Sequence, residues 1–188
     1  MYSRNRPPHG PPPDTRARRL LFPALLQGFR PSALGPCPGP WPLDLAFFAP
    51  DKGFEIVAKE QSVTRWVIAG HSLGGVAAAI AVHDRPGALS GIAFWASYPP
   101  DSADLSEAAI RGLSISGSLD GLSTPAKIAK AAHLLPKDTT MVVIEGGNHG
   151  QFGSYGRQRG DSEATISSAE QRRQVAEAML AFMATVSE

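Results

Sequence analysis

Short apolar runs alternate with longer helical patterns through most of the chain. Four runs have the length and composition of buried strands: residues 65–69, 91–96, 113–116 and 141–144. Helices are predicted at residues 51–60, 73–83, 104–111 and 126–134, and a final one after the capping-box pattern at 167–170. This alternation predicts the α/β class, with a mostly parallel sheet that carries helices on both faces.

Two helices have specific end signals. Thr124 is a good N-cap and is followed by Pro125, which suits the first helical position. In the final helix Val175, Met179 and Phe182 recur at helical intervals, so this stripe is expected to pack on the sheet.

The first 41 residues differ from the rest. Residues 1–42 contain six arginines, one aspartate and eleven of the 17 prolines. Proline lacks a backbone donor, so this segment cannot form a central strand. Residues 1–41 are therefore predicted to be an irregular head, and residues 42–188 an ordered domain. Within the head, the apolar stretch 19–29 could be a short helix or a strand fragment.

The amino-acid composition argues against several classes of function. The net charge is +1, which gives no reason to expect a nucleic-acid partner. No apolar run is long enough for a membrane span, and no secretory signal is recognisable. The single cysteine, Cys37, fits a reducing compartment, and a cytoplasmic location is predicted. The chain has no phosphate-binding glycine motif and no metal-ligand spacing, so neither cofactor nor metal is expected. The oligomeric state is left open.

The sequence Gly70-His71-Ser72-Leu73-Gly74-Gly75 lies between a predicted strand and an alanine-rich helix. This is the context of a nucleophile elbow, where a serine sits on a tight turn with glycines beside it. Ser72 is therefore the candidate nucleophile, and the backbone N–H of Leu73 a candidate oxyanion donor.

A serine nucleophile needs a base. His149 is the candidate because it follows the strand at 141–144 in a loop. The other histidines are weaker candidates: His9 is in the head, and His83 and His133 fall late in predicted helices. His71 is expected to point away from the base, and is assigned instead to substrate binding.

The acid that orients the base is expected to follow another strand. Asp120 comes directly after the strand at 113–116, and Asp101 and Asp104 are weaker candidates. The chain order Ser72, Asp120, His149 is the order found in α/β-hydrolases.

From these motifs, residues 42–186 resemble the α/β-hydrolase superfamily, in particular small bacterial esterases of the dienelactone-hydrolase-like branch. The resemblance rests on PLDLAFFAP, WVIAGHSLGG, FWASYPP, SISGSLDGLSTPAKI and VIEGGNHGQFGSYG. It implies a serine hydrolase with Ser72, Asp120 and His149 as its triad.

The head departs from this family. Family members have early strands, and a loop after one of them supplies the second oxyanion donor; residues 1–41 offer no such strand. The N-terminus is accordingly interpreted as atypical or truncated. A shifted reading frame is one hypothesis, and translation of the upstream DNA in the other frames would test it.

The expected reaction is cleavage of a small ester or lactone through an acyl-enzyme. Tyr98 and Phe152 are assigned to substrate binding, and Tyr155 also flanks the site in sequence. Trp95 could equally line an acyl pocket or pack in the core. Two alternatives share the same residues: an impaired remnant that acts only by binding, and an acyltransferase.

Overall fold

Five parallel strands form one sheet, in the order in which they occur along the chain. The computed structural model describes residues 19–21, 50–60, 62–153 and 156–186. The strands are β1 (Arg19–Leu21), β2 (Trp66–His71), β3 (Gly91–Trp95), β4 (Arg111–Gly117) and β5 (Thr139–Ile144). The helices are α1 (Pro50–Lys59), α2 (Leu73–Asp84), α3 (Pro125–Ala131) and α4 (Ser168–Val186). The predicted α/β class is confirmed.

One face of the sheet is covered by α4. Alternate residues of the strands point to this face because successive side chains in a strand point to opposite sides. They join the apolar side of the last helix in one buried cluster, which includes Val67, Ala69, Ala93, Trp95, Leu113, Ile115, Val175, Met179 and Phe182. The predicted stripe on the final helix therefore does pack on the sheet.

The opposite face carries α1 and α2. Its cluster is built from the other set of strand residues, such as Trp66, Ile92 and Phe94, together with the alanine-rich side of α2. Arg85, directly after α2, also lies over the ring of Phe54 in α1, with its guanidinium carbon 4.4 Å from the ring centroid. The two covered faces explain why the strands read as nearly continuous apolar runs.

Helix ends follow the sequence signals. The Thr124 side chain accepts a hydrogen bond from the backbone N–H of Lys127 (3.3 Å), and Pro125 is the first residue of α3. Ser167 caps α4 by accepting from the N–H of Glu170 (3.1 Å). The helix predicted at 126–134 ends at Ala131 and continues as a 3₁₀ turn over Ala132–Leu134.

The helix predicted at residues 104–111 was wrong. A short 3₁₀ helix, Asp101–Ala103, is followed by turns that lead into β4. The Asp104 carboxylate accepts from the N–H of Ser106 (2.8 Å), a local bond that competes with helix formation.

The head contains one element within the described residues. Arg19–Leu21 pairs in parallel with Trp66–Ile68 of β2. The strand alternative for the stretch 19–29 is therefore confirmed at these three positions, and this part of the head does hold an early strand. The residues after it, where family members carry the glycine-rich turn with the second oxyanion donor, are not among those described. Residues 1–18 and 22–49 lie outside the described part, so the boundary at residue 42 stays a prediction. Among the residues that the structure describes, no helix is both long and apolar enough to cross a membrane.

Candidate active site

Three side chains with complementary chemistry follow the carboxyl ends of three parallel strands. Ser72 follows β2, Asp120 follows β4, and His149 follows β5. In a parallel sheet these ends share one edge, which is where α/β proteins place their sites.

Ser72 occupies a strained turn. Its φ of 51° and ψ of −121° are unusual for a residue other than glycine. The Ser72 N–H donates to the carbonyl of Trp95 (3.0 Å), and the Ser97 hydroxyl donates to the carbonyl of Ser72 (2.6 Å). Two hydrogen bonds to the single segment at the end of β3 thus help to hold the turn that carries the serine.

At two of the three glycines of the elbow, an added side chain would clash with neighbouring atoms. A Cβ at Gly70 would lie 2.2 Å from the carbonyl oxygen of Gly74, and one at Gly75 would lie 2.4 Å from the hydroxyl of Ser97. A Cβ at Gly74 would meet nothing within 4 Å. The sequence-based expectation of glycine on both sides of Ser72 therefore holds through Gly70 and Gly75, and not through Gly74, whose missing side chain would point into open space.

Asp120 and His149 form a buried pair. The imidazole Nδ1 lies 2.8 Å from Asp120 Oδ2, and the two side chains are 3 % and 0 % exposed. Because a carboxylate only accepts, Nδ1 carries the proton and Nε2 of the neutral ring is left as an acceptor. Asp120 Oδ1 in turn accepts from the N–H groups of Leu122 (2.8 Å) and Ser123 (2.7 Å).

A second carboxylate lies beside this pair. Asp161 accepts hydrogen bonds from the backbone of Gly121 (3.0 Å), His149 (3.2 Å), Gly150 (2.8 Å) and Ser162 (3.0 Å). Sequence reasoning missed Asp161, since it follows neither a strand nor a known motif.

The loop before His149 is held from α4. Gln171, which is fully buried, accepts from the N–H of Asn148 (3.0 Å) and donates to its carbonyl (2.8 Å). A polar residue on the packed face of a predicted helix was the only sequence signal for this contact.

His71 corrects an expectation. Its ring does not point away from the base: the His71 and His149 centroids are 4.6 Å apart. The His71 ring also stacks on that of Phe152, with centroids 5.8 Å apart and ring planes 19° apart. Because His71 directly precedes Ser72, this contact places the His149 ring beside the elbow.

The pKa of His71 is lowered from 6.5 to about 4, mainly by burial and next by the neighbouring His149. Asp120, Asp161 and a hydrogen bond to the backbone of His149 act in the opposite direction, with smaller effect. His71 is therefore a neutral ring at neutral pH.

The other residues that were predicted to lie around the substrate differ in how deeply they are buried. Leu73 is 54 % exposed directly beside Ser72, and Tyr98 is half-buried. Phe152 is buried in the core cluster under α4. Trp95 belongs to the same cluster, and its indole N–H donates to the sulfur of Met179 (3.3 Å). Of the two interpretations of Trp95, core packing is therefore the one that the structure supports.

The weaker candidates lie elsewhere. All four are exposed: Asp101, Asp104, His83 and His133. The hydrogen bonds of Asp104, His83 and His133 are local, to Ser106, Asp84 and the Lys130 carbonyl. His9, Cys37 and Tyr155 lie outside the described residues. Within the described ranges, no group of three or more His, Cys, Asp or Glu side chains is placed to hold a metal ion.

Solved structures with this fold are found at low sequence identity. An alpha-beta serine hydrolase homologue from Coxiella burnetii has a TM-score of 0.50 and 19 % identity, with 68 % of this chain and 55 % of that one covered. A "predicted CIB-like hydrolase" from Thermoplasma acidophilum has a TM-score of 0.49 and 19 % identity, with 69 % and 57 % covered. A monoacylglycerol lipase from Paleococcus ferrophilus has a TM-score of 0.49 and 14 % identity, with 71 % and 74 % covered.

The chain thus spans little more than half the length of the first two of these structures. A search of curated proteins gives no match. The model of the alpha/beta hydrolase family, in contrast, matches residues 40–173. That range includes the elbow, the buried Asp120–His149 pair and Asp161, and the chain belongs to the alpha/beta hydrolase family.

Proposed function

We propose that the protein is a serine hydrolase that cleaves a small ester or lactone through an acyl-enzyme on Ser72. The observation that carries this proposal is the buried 2.8 Å bond between Asp120 and His149, at the sheet edge where the strained Ser72 turn lies. A buried acid–base pair beside a half-buried serine on a strained turn is the arrangement that serine acyl transfer requires.

The proton path follows from the tautomer. With Nδ1–H donated to Asp120, Nε2 of His149 takes the Ser72 proton as Oγ attacks the carbonyl carbon. When the tetrahedral intermediate collapses, the imidazolium gives that proton to the leaving alkoxide, and the acyl group stays on Oγ. Water, deprotonated by the same nitrogen, then releases the acid and restores Ser72.

The oxyanion is proposed to bind at the start of α2. Leu73 is the first residue of that helix, so its N–H has no acceptor within the helix. The partial positive charge at a helix N-terminus adds to this donor. The second donor stays unassigned among the described residues.

The substrate class is proposed from the surroundings of the serine. The exposed Leu73 side chain gives the acyl group an apolar contact, and half-buried Tyr98 and the neutral His71 ring are the proposed further contacts. These three side chains are uncharged at neutral pH and suit a neutral ester.

Hydrolysis of 4-nitrophenyl acetate by the full chain tests the proposal. We expect Ser72→Ala and His149→Gln to lower kcat/KM by roughly 10⁴- to 10⁶-fold, and Asp120→Asn by about 10⁴-fold because its amide favours the wrong tautomer. Ser102→Ala and His133→Gln, both at exposed positions, are matched controls that keep wild-type rates. Equal activity in Ser72→Ala would refute the proposed nucleophile.

A further inference from the structure

Two loops must meet for the buried pair to form. Asp120 is on the loop after β4, and His149 is on the loop after β5. Neither loop is part of a helix or strand, so their relative position depends on contacts other than the sheet hydrogen bonds. Two hydrogen bonds join the loops directly, from the N–H of Leu119 to the carbonyl of Gly147 (2.9 Å) and from the N–H of Gly146 to the hydroxyl of Ser118 (2.9 Å). Closer to the acid and the base themselves, a third segment, residues 156–166, adds contacts to both loops.

The Asp161 carboxylate joins the two loops. Its Oδ1 accepts from Gly121, which follows the acid, at 3.0 Å, and from the N–H of His149 itself at 3.2 Å. Its Oδ2 accepts from Gly150 at 2.8 Å. Three backbone donors from the flanks of the acid and the base therefore converge on one side chain.

The segment that carries Asp161 also packs closely on both loops. A Cβ at Gly121 would lie 2.4 Å from the carbonyl oxygen of Gly160, and one at Gly150 would lie 2.8 Å from that of Gly156. The segment that carries Asp161 thus lies in direct backbone contact with both loops. Charge-assisted bonds to backbone N–H groups are also stronger than neutral ones, so a carboxylate suits this position.

We propose that Asp161 is a positioning residue, which holds the Asp120 and His149 loops together so that their side chains bond. It does not touch the reacting atoms and acts through the backbone of both loops. The proposal rests on the proposed function only for the roles of Asp120 and His149; the bond between them can be observed without any substrate.

Substitutions should act in a graded way. Asp161→Asn keeps the shape but turns an N–H donor toward at least one backbone donor, and Asp161→Ala removes all the acceptors. We expect kcat on 4-nitrophenyl acetate to fall by up to about 100-fold in Asp161→Ala, less in Asp161→Asn, with KM little changed. Asp104→Asn is the control, since the exposed Asp104 accepts a single local N–H, that of Ser106.

Proton NMR supplies a readout that a merely structural role would not move. The His149 Nδ1 proton in its bond to Asp120 should give a far-downfield signal in the wild type and in Asp104→Asn, and a weakened or absent one in both Asp161 variants. Folded Asp161 variants that keep this signal and wild-type kcat would overturn the proposal.

The role of Asp161 can still be decided if the wild type is inactive or if the variants fail to fold. If the wild type hydrolyses no ester, the proposed function fails, and the NMR signal alone decides the role of Asp161. If neither variant folds, amide hydrogen exchange of the wild type decides: protected N–H groups at Gly121, His149 and Gly150 support the proposal. Exchange of these amides as fast as in an unstructured peptide would overturn it.

Discussion

The elbow and the two loops beside it are held in place by different physical means. The Ser72 turn is fixed mainly by close backbone packing, with Gly70 and Gly75 at positions where a Cβ would collide with its neighbours. The loops of Asp120 and His149 also pack closely on their neighbours, but they are held in addition by side chains that bond to their backbone, those of Asp161 and Gln171. A rigid turn thus faces a pair of loops that depend on polar contacts from farther along the chain.

This difference has a consequence for substitution. A side chain added at a packed glycine of the elbow should strongly destabilise the protein, whereas removal of a single hydrogen bond there should lower the free energy of unfolding only a little. The loops should respond in the opposite way, since each polar side chain holds several otherwise unpaired backbone groups.

The largest effect is expected at the elbow. Gly70→Ala would place a methyl 2.2 Å from a backbone oxygen that cannot move freely, so a loss of about 3 kcal/mol in the free energy of unfolding is expected. Gly74→Ala is the matched control: with open space at its Cβ and a helical position, it should stabilise the chain by about 0.5–1 kcal/mol. Urea denaturation measures both. Similar losses in the two variants would contradict the steric account.

The contribution of side-chain hydrogen bonds to the stability of the loops is tested by Gln171→Leu. The change leaves the N–H and carbonyl of half-buried Asn148 without the partner that the buried Gln171 supplies, and a loss on the order of 3 kcal/mol is expected. Gln174→Leu, one turn away on α4, removes only a bond to Glu170 and should cost well under 1 kcal/mol. Thermal unfolding compares them, and equal melting temperatures would show that Gln171 does not hold the loop.

An acid-dependent effect is expected at the contact between elbow and loop. His71 has a folded-state pKa of about 4, below its ordinary 6.5, so the unfolded chain takes up a proton first as the pH falls. Stability from this group is fully present above pH 6.5 and declines as the pH falls to about 4, by on the order of 3 kcal/mol.

His71→Gln should therefore flatten the stability profile between pH 6.5 and 4, measured by urea denaturation at several pH values. His83→Gln changes an exposed histidine and serves as control. A profile as steep in His71→Gln as in the wild type would mean that another group titrates in this range.

The smallest effect is expected for Ser97→Ala. The lost hydroxyl donates to the Ser72 carbonyl at 2.6 Å, but that carbonyl also accepts from the N–H of Gly75. We expect a loss of about 1 kcal/mol in urea denaturation, against no change for the exposed Ser102→Ala. A loss as large as that of Gly70→Ala would show that hydrogen bonding, and not packing, fixes the elbow.

The same difference explains what could be predicted from the sequence. The elbow is a contiguous motif between a strand and a helix, so Ser72 and its turn were recognisable from neighbouring residues. The strands, the last helix and the pairing of Asp120 with His149 were also accessible, since residues after parallel strands meet at one edge.

Contacts between segments that are distant in the chain were not accessible. Asp161 and Gln171 act on backbone groups of other loops, and backbone donors leave no mark in the sequence. The position of His71 against His149 was predicted wrongly because the direction of a side chain at a tight turn depends on the turn's dihedral angles. The turn at Asp104 was predicted as helix because one local side-chain bond outweighed the helical pattern.

The most direct test of the central claim is labelling of the folded full chain by a fluorophosphonate, with the modified residue located by mass spectrometry. The account predicts a single adduct on Ser72, none in Ser72→Ala, and labelling in His149→Gln slowed by at least ~10⁴-fold. A folded wild type that takes no label, or a label that persists in Ser72→Ala, would contradict it.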